Sequence, residues 1–127
     1  MDYEEVFSLA HERPRMLGLD GSYAAAAAFV NGCDAGNAWR LLDGFSEWLA
    51  VELGEGANLS WQALVIRHAV SVGRWRSPSA RLSDAENSVA VDTLFRLLRE
   101  FLNVRNKDGL AKIFVRYSAL FGDRVAG

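Results

Sequence analysis

Apolar residues recur at three-and-four spacing along most of this chain, the period of helices that bury one face. Val6, Phe7 and Ala10 mark a first helix that starts after Asp2, reaches about Glu12 and is stopped by Pro14. The stretch from Arg13 to Gly21 reads as a linker, because the residue before proline is driven out of the α region and two glycines follow. Ser22 caps a second helix with Tyr23, Ala26, Ala27, Val30 and Cys33 on one face. Its alanines let a neighbour approach closely.

A third helix is expected from about Asn37 to Leu53, with Ala38, Leu42, Phe45, Leu49 and Leu53 buried and Asp43, Gly44 and Glu47 facing away. Gly54 to Asn58 is a turn. Ser60 then caps a fourth helix carrying Trp61, Leu64, Val65 and His68 on one side, although the β-branched run from Ala63 to Val72 leaves a strand open as an alternative. Ser83 and Glu86 have the spacing of a capping box, with Leu82 before them as a hydrophobic staple. The fifth helix that follows runs to about Val104. Asp108 is expected to cap a sixth, with Leu110, Ile113, Phe114, Tyr117 and Leu120 facing inward and Gly122 as its stop. The reading is an all-α orthogonal bundle of about six helices, a single domain over residues 1–127.

Composition supports this picture. Half of the 127 residues are apolar or aromatic and 24% are charged, the balance of a globular protein rather than a disordered tail. The lone Cys33 excludes an intrachain disulfide and favours a reducing compartment, so cytoplasmic residence is expected. Asp2, Glu4 and Glu5 are the wrong sign for a secretory leader, and no apolar run approaches the roughly 20 residues of a membrane span.

Candidate chemistry is sparse. His11, His68 and Cys33 are the good transition-metal donors, and they show no metal-ligand spacing, so no metal or cofactor is expected. There is no nucleophile elbow and no phosphate loop. His68 reads as a hydrogen-bonded core histidine, His11 as an exposed helix-end residue, and Cys33 as a small core residue. Asp43 and Glu47 lie one helical turn apart, yet nothing in the sequence suggests a pocket that would shift either pKa. The reading is therefore a non-enzyme.

Charge asymmetry points to binding. Residues 1–60 carry ten acids against three arginines, a net of −7, which leaves +5 for the remainder. On the predicted third helix, Asp43 and Glu47 with Trp48 and Trp39 at the borders form a candidate protein-binding face. Carboxylates steer a cationic partner towards such a face, and aromatics hold it there. An ordinary solvated helix explains the same pattern, and an exposed tryptophan pair also suits a homodimer. The alternative is a nucleic-acid patch in the loop after the fourth helix, where Arg74, Arg76 and Arg81 would grip phosphates and Trp75 would stack on a base, helped by Arg96, Arg99 and Lys107.

One resemblance adds to these readings. Arg13-Pro14-x-Met16-x-Gly18, followed by Ala28-Phe29-x-x-Gly32, resembles the N-terminal opening of small uncharacterised helical proteins of bacteria, and covers about a quarter of the chain. Some of those proteins accompany polymorphic or contact-dependent toxins as immunity proteins. The resemblance implies a bacterial protein that neutralises a cognate toxin, and the acidic helix suits a cationic toxin domain as its partner.

Overall fold

Local capping signals set most of the helix boundaries. In the computed structural model, which describes residues 2–72 and 82–126, six helices follow one another: α1 (Tyr3–Glu12), α2 (Tyr23–Gly36), α3 (Phe45–Leu53), α4 (Trp61–Val72), α5 (Asp84–Asp108) and α6 (Leu110–Ala126). Asp2 caps α1 by accepting from the amides of Glu4 and Glu5, and Ser22 caps α2 by accepting from Ala25. Ser60 Oγ accepts from Ala63 at the start of α4. At the head of α5 the capping box is complete: Ser83 Oγ accepts from the Glu86 amide at 3.2 Å, and Glu86 Oε1 accepts from the Ser83 amide at 2.9 Å. Each such cap contributes about 1 kcal/mol. Pro14 ends α1 as expected and opens a 3-10 turn, Pro14–Leu17, closed by Gly18 in the left-handed region.

The β-branched segment in question is helical throughout. No strand forms among the described residues, and the chain is an all-α bundle. Its axis is the 25-residue α5, which packs against each of the other five helices, while α3 also lies between α4 and α6. One contiguous core draws on every helix, with Phe7, Val30, Phe45, Leu49, Leu64, Leu94, Phe95, Leu98 and Phe101 fully buried. Tyr23 locks three helices together. Its amide donates to Asn87 Oδ1 on α5 at 2.8 Å and its hydroxyl to the Gln62 carbonyl on α4 at 2.7 Å, and burial raises its phenol above the ordinary range.

The structure departs from the sequence reading at two places that bear on function. The expected helix from Asn37 to Leu53 is instead a turn over residues 37–44 followed by the nine-residue α3. Gly44 stands at φ +89 immediately before Phe45, a conformation that side chains rarely adopt, so the turn ends where glycine permits it. The second departure is in α6, where Ile113 and Phe121 are buried and Phe114 and Leu120, both expected inside, are 38% and 49% exposed. Asp108 is the last residue of α5 rather than the cap of α6, and α6 continues past Gly122.

Candidate functional site

The turn between α2 and α3 is held from both sides by polar groups. Asp34, in the last turn of α2 and only 8% exposed, accepts from the Leu42 amide through Oδ1 at 3.0 Å. Its main-chain carbonyl accepts from the amides of Asn37 at 3.0 Å and Trp39 at 2.8 Å. From α5, Arg105 Nη1 donates to the carbonyls of Leu41 (2.8 Å), Asp43 (3.1 Å) and Arg40 (3.3 Å), with its guanidinium 5.0 Å above the Phe101 ring. Partial burial lowers the pKa of Arg105, and the charges of Asp43 and Asp34 oppose that shift. Asn37 completes the clamp by donating to the Cys33 carbonyl at 2.7 Å and to the Tyr3 hydroxyl, which ties the turn to α1.

This clamp holds an unfavourable backbone. Ala38 (φ +57) and Trp39 (φ +63) are consecutive left-handed residues, and neither is glycine. Each costs roughly 1–2 kcal/mol relative to ordinary helical or extended backbone. The result is that Trp39 projects its indole to solvent at 62% exposure.

The four residues expected to form one binding face are therefore divided. Trp39 is at the surface, Asp43 is exposed at the end of the turn, and Glu47 is half-exposed in the first turn of α3. Asp43 and Glu47 are not on one helix, because Gly44 separates the turn from α3. Trp48 is a correction: it is 6% exposed and belongs to the core, its ring centroid 6.5 Å from Phe45 and 6.0 Å from Phe101. The helical period carries it inward beside Leu49, and the tryptophan pair proposed for a homodimer does not reach the surface together.

Acidic groups missed by the sequence reading take its place. The Tyr3–Asn37 bond ties the first turn of α1 to the Trp39 turn, and Glu4 and Glu5 in that first turn are exposed. A groove of about 300 Å3 separates Asp2, Tyr3 and Glu4 from Arg99, Asn103 and Arg105, with Leu41 of the turn in its wall. Glu55, also in the acidic half, is instead paired with Arg67 at 3.4 Å.

The loop residues Arg74, Trp75, Arg76 and Arg81 lie outside the described residues. The helix α5 arginines expected to help them are engaged within the fold, Arg96 with Glu100 at 3.2 Å and Arg99 with His11, Ser8 and the Phe95 carbonyl.

His11 is more involved than its expected helix-end role. Its Nε2 lies 2.6 Å from Asp92 Oδ1, its Nδ1 lies 3.2 Å from Arg99 Nη2, and its ring stacks on Phe95. Arginine only donates, so Nδ1 supplies the lone pair and Nε2–H donates to Asp92. Both ring nitrogens are thus committed in this arrangement. His68 is half-buried and directs Nε2 to the Leu49 carbonyl at 3.2 Å. Cys33 is half-buried, and burial raises its thiol pKa, which favours the protonated form. Among the described residues no three His, Cys, Asp or Glu side chains are placed to hold a metal ion, and no helix is long and apolar enough to cross a membrane.

The sequence matches no family model, and no curated protein or solved structure shows significant similarity to the chain.

Proposed function

We propose that the chain is a non-catalytic binding domain that docks a cationic protein on the surface formed by Trp39, Asp43, Glu47 and the acidic first turn of α1. The observation that carries this reading is Trp39, a large apolar side chain held out to solvent on a strained backbone that the buried Asp34 and the half-buried Arg105 keep in place. At 62% exposure the indole gains little from packing to offset that strain, whereas a tryptophan at the centre of an interface commonly contributes 2 kcal/mol or more to binding. The surrounding carboxylates suit a basic partner, whose approach they accelerate at low salt. Neutralisation of a toxin, the role implied by the N-terminal resemblance, is the biological setting we assign to such a partner, with the docked surface covering a basic active site.

The test uses the tagged full chain to capture proteins from a bacterial host at low and moderate salt, followed by affinity measurements on the recovered partner. Trp39→Ala is expected to weaken binding at least 30-fold with an unchanged melting temperature, and Asp43→Lys with Glu47→Lys to slow association and flatten its salt dependence. Unaltered binding in both variants would remove this surface from consideration. Recovery of RNA or single-stranded DNA that is lost on replacing Arg74, Trp75 and Arg76 would transfer the binding role to the loop after α4.

A further inference from the structure

A chain of polar contacts joins α1 to α5 at His11, and its far end, Arg99, lies in the wall of the groove beside the Trp39 turn. His11 Nε2–H donates to Asp92 Oδ1 at 2.6 Å and Arg99 Nη2 donates to His11 Nδ1 at 3.2 Å, with the imidazole stacked on Phe95. Arg99 has weaker holds elsewhere, the Phe95 carbonyl at 3.4 Å and Ser8 Oγ at 3.5 Å, both at the long limit of a hydrogen bond. Its side chain borders two cavities. One, of about 400 Å3, it shares with His11, Asp92 and Arg96. The other is the groove of about 300 Å3, which Asp2 and Glu4 also line. Asp2 commits only Oδ1 to the cap of α1, and Glu4 is exposed.

The geometry points to a switch operated by pH: protonation of His11 releases Arg99 from the imidazole to the carboxylates of Asp2 and Glu4. Histidine is the side chain that ordinarily changes charge between pH 5 and pH 8. Neutral His11 offers Arg99 one lone pair, at Nδ1. When that nitrogen gains a proton, two cations and two donors face each other at 3.2 Å with no acceptor between them, and the contact is lost. The ring itself stays, because Asp92 holds an imidazolium more firmly than a neutral imidazole and Phe95 lies against its face. Turning the ring over gives no relief, since both nitrogens then donate. The other charges around His11 are Arg96 of α5, paired with Glu100, Glu12 next to it on α1, Arg13 at the helix end and Arg15 in the 3-10 turn. None of them bonds to the ring, and Glu12 lines neither cavity that Arg99 borders. Asp92 is neutralised by the imidazolium, so the unopposed carboxylates in reach of the released guanidinium are Asp2 and Glu4. Their pairing, added to the new charge on His11, removes negative potential from the acidic side of the molecule. Docking of a cationic partner therefore weakens as pH falls. That consequence rests on the surface proposed above, whereas the movement of Arg99 does not.

The test is 15N NMR of the free full-length chain between pH 8 and pH 5, with a deca-lysine peptide as the cationic probe. The imidazole of His11 is expected as the Nε2–H tautomer at pH 8, and the Arg99 Nε–H signal is expected to shift along the same pH curve as the His11 ring. His11→Gln should leave the Arg99 signal unmoved over this range. Asp2→Asn combined with Glu4→Gln keeps a capping side chain and should reduce the Arg99 shift by at least about half. Deca-lysine, followed at the Trp39 indole N–H, should bind about fivefold more weakly at pH 5 than at pH 8 in wild type and within about twofold at the two pH values in His11→Gln. An Nδ1–H tautomer at pH 8, an Arg99 signal that stays still while His11 titrates, or one that moves equally in His11→Gln would each overturn the switch. The first two are read on the wild-type chain, so they hold even if a variant fails to fold. Movement of Arg99 with no change in deca-lysine binding would overturn its effect on docking. Failure of the docking surface itself looks different: the Trp39 indole ignores deca-lysine at both pH values while the Arg99 signal still follows His11.

Discussion

Trp39 and the outer face of α6 both expose apolar surface, but they reach solvent by opposite routes. Around Trp39 the backbone is irregular and over-constrained, with two left-handed residues held by Asp34 from α2 and Arg105 from α5. On α6 the backbone is a regular helix, and Phe114 and Val115 are exposed because, among the described residues, no other element covers that side. The difference separates two kinds of surface. Strain maintained by polar groups from neighbouring helices marks a position that the fold orients at a cost in stability. An exposed face on a regular helix carries no such strain.

Substitutions distinguish the two. The largest expected effect is on partner affinity: Trp39→Ala removes a binding contribution of about 2–4 kcal/mol, read by calorimetry on the captured partner, and leaves denaturant stability within about 0.5 kcal/mol. Gly44→Ala acts on both regions at once. Its φ of +89 disfavours alanine, and the new methyl would lie 2.5 Å from Leu110 Cδ1 at the head of α6. A loss of about 2–3 kcal/mol in urea unfolding is expected, part of it relieved by rotation of Leu110. Asp34→Ala leaves the buried amide of Leu42 without its acceptor and is expected to cost about 2 kcal/mol and to weaken partner binding as well, because the turn loses its shape. Ala38→Gly should stabilise the chain by up to about 1 kcal/mol, since glycine accepts φ +57 without steric cost. Smallest is Val115→Lys, expected to change stability in the same urea assay by less than about 0.5 kcal/mol. If Ala38→Gly were destabilising, or Val115→Lys strongly so, the contrast between a strained turn and a free helix face would fail.

Much of the helix plan was legible because its signals are local. Asp2, Ser22, Ser60 and the Ser83–Glu86 pair each satisfy amides two or three residues away, and Pro14 terminates α1 through its own ring. The candidate site was less legible. Periodicity ran Asn37 to Leu53 together as one helix, since Ala38, Leu42 and Phe45 keep its spacing, and only Gly44 interrupts it. The spacing treats Trp39 and Trp48 alike, as border residues flanking Asp43 and Glu47, yet Trp39 stands at the surface whereas Trp48 packs against Phe45 and Phe101. Asp34, Tyr3, Asn37 and Arg105, which shape the turn, were not singled out. Their partners lie as far as 65 residues away, and no motif marks an arginine that donates to three carbonyls.

The sequence alone determined that the chain is helical, where most helices begin and end, and that its first half is acidic, because those properties follow from backbone capping, periodicity and composition. Tertiary structure decided which side of each helix is covered, as α6 illustrates. It also decided that a tryptophan is held outward on a strained turn, because burial and strain depend on groups brought together from distant parts of the chain.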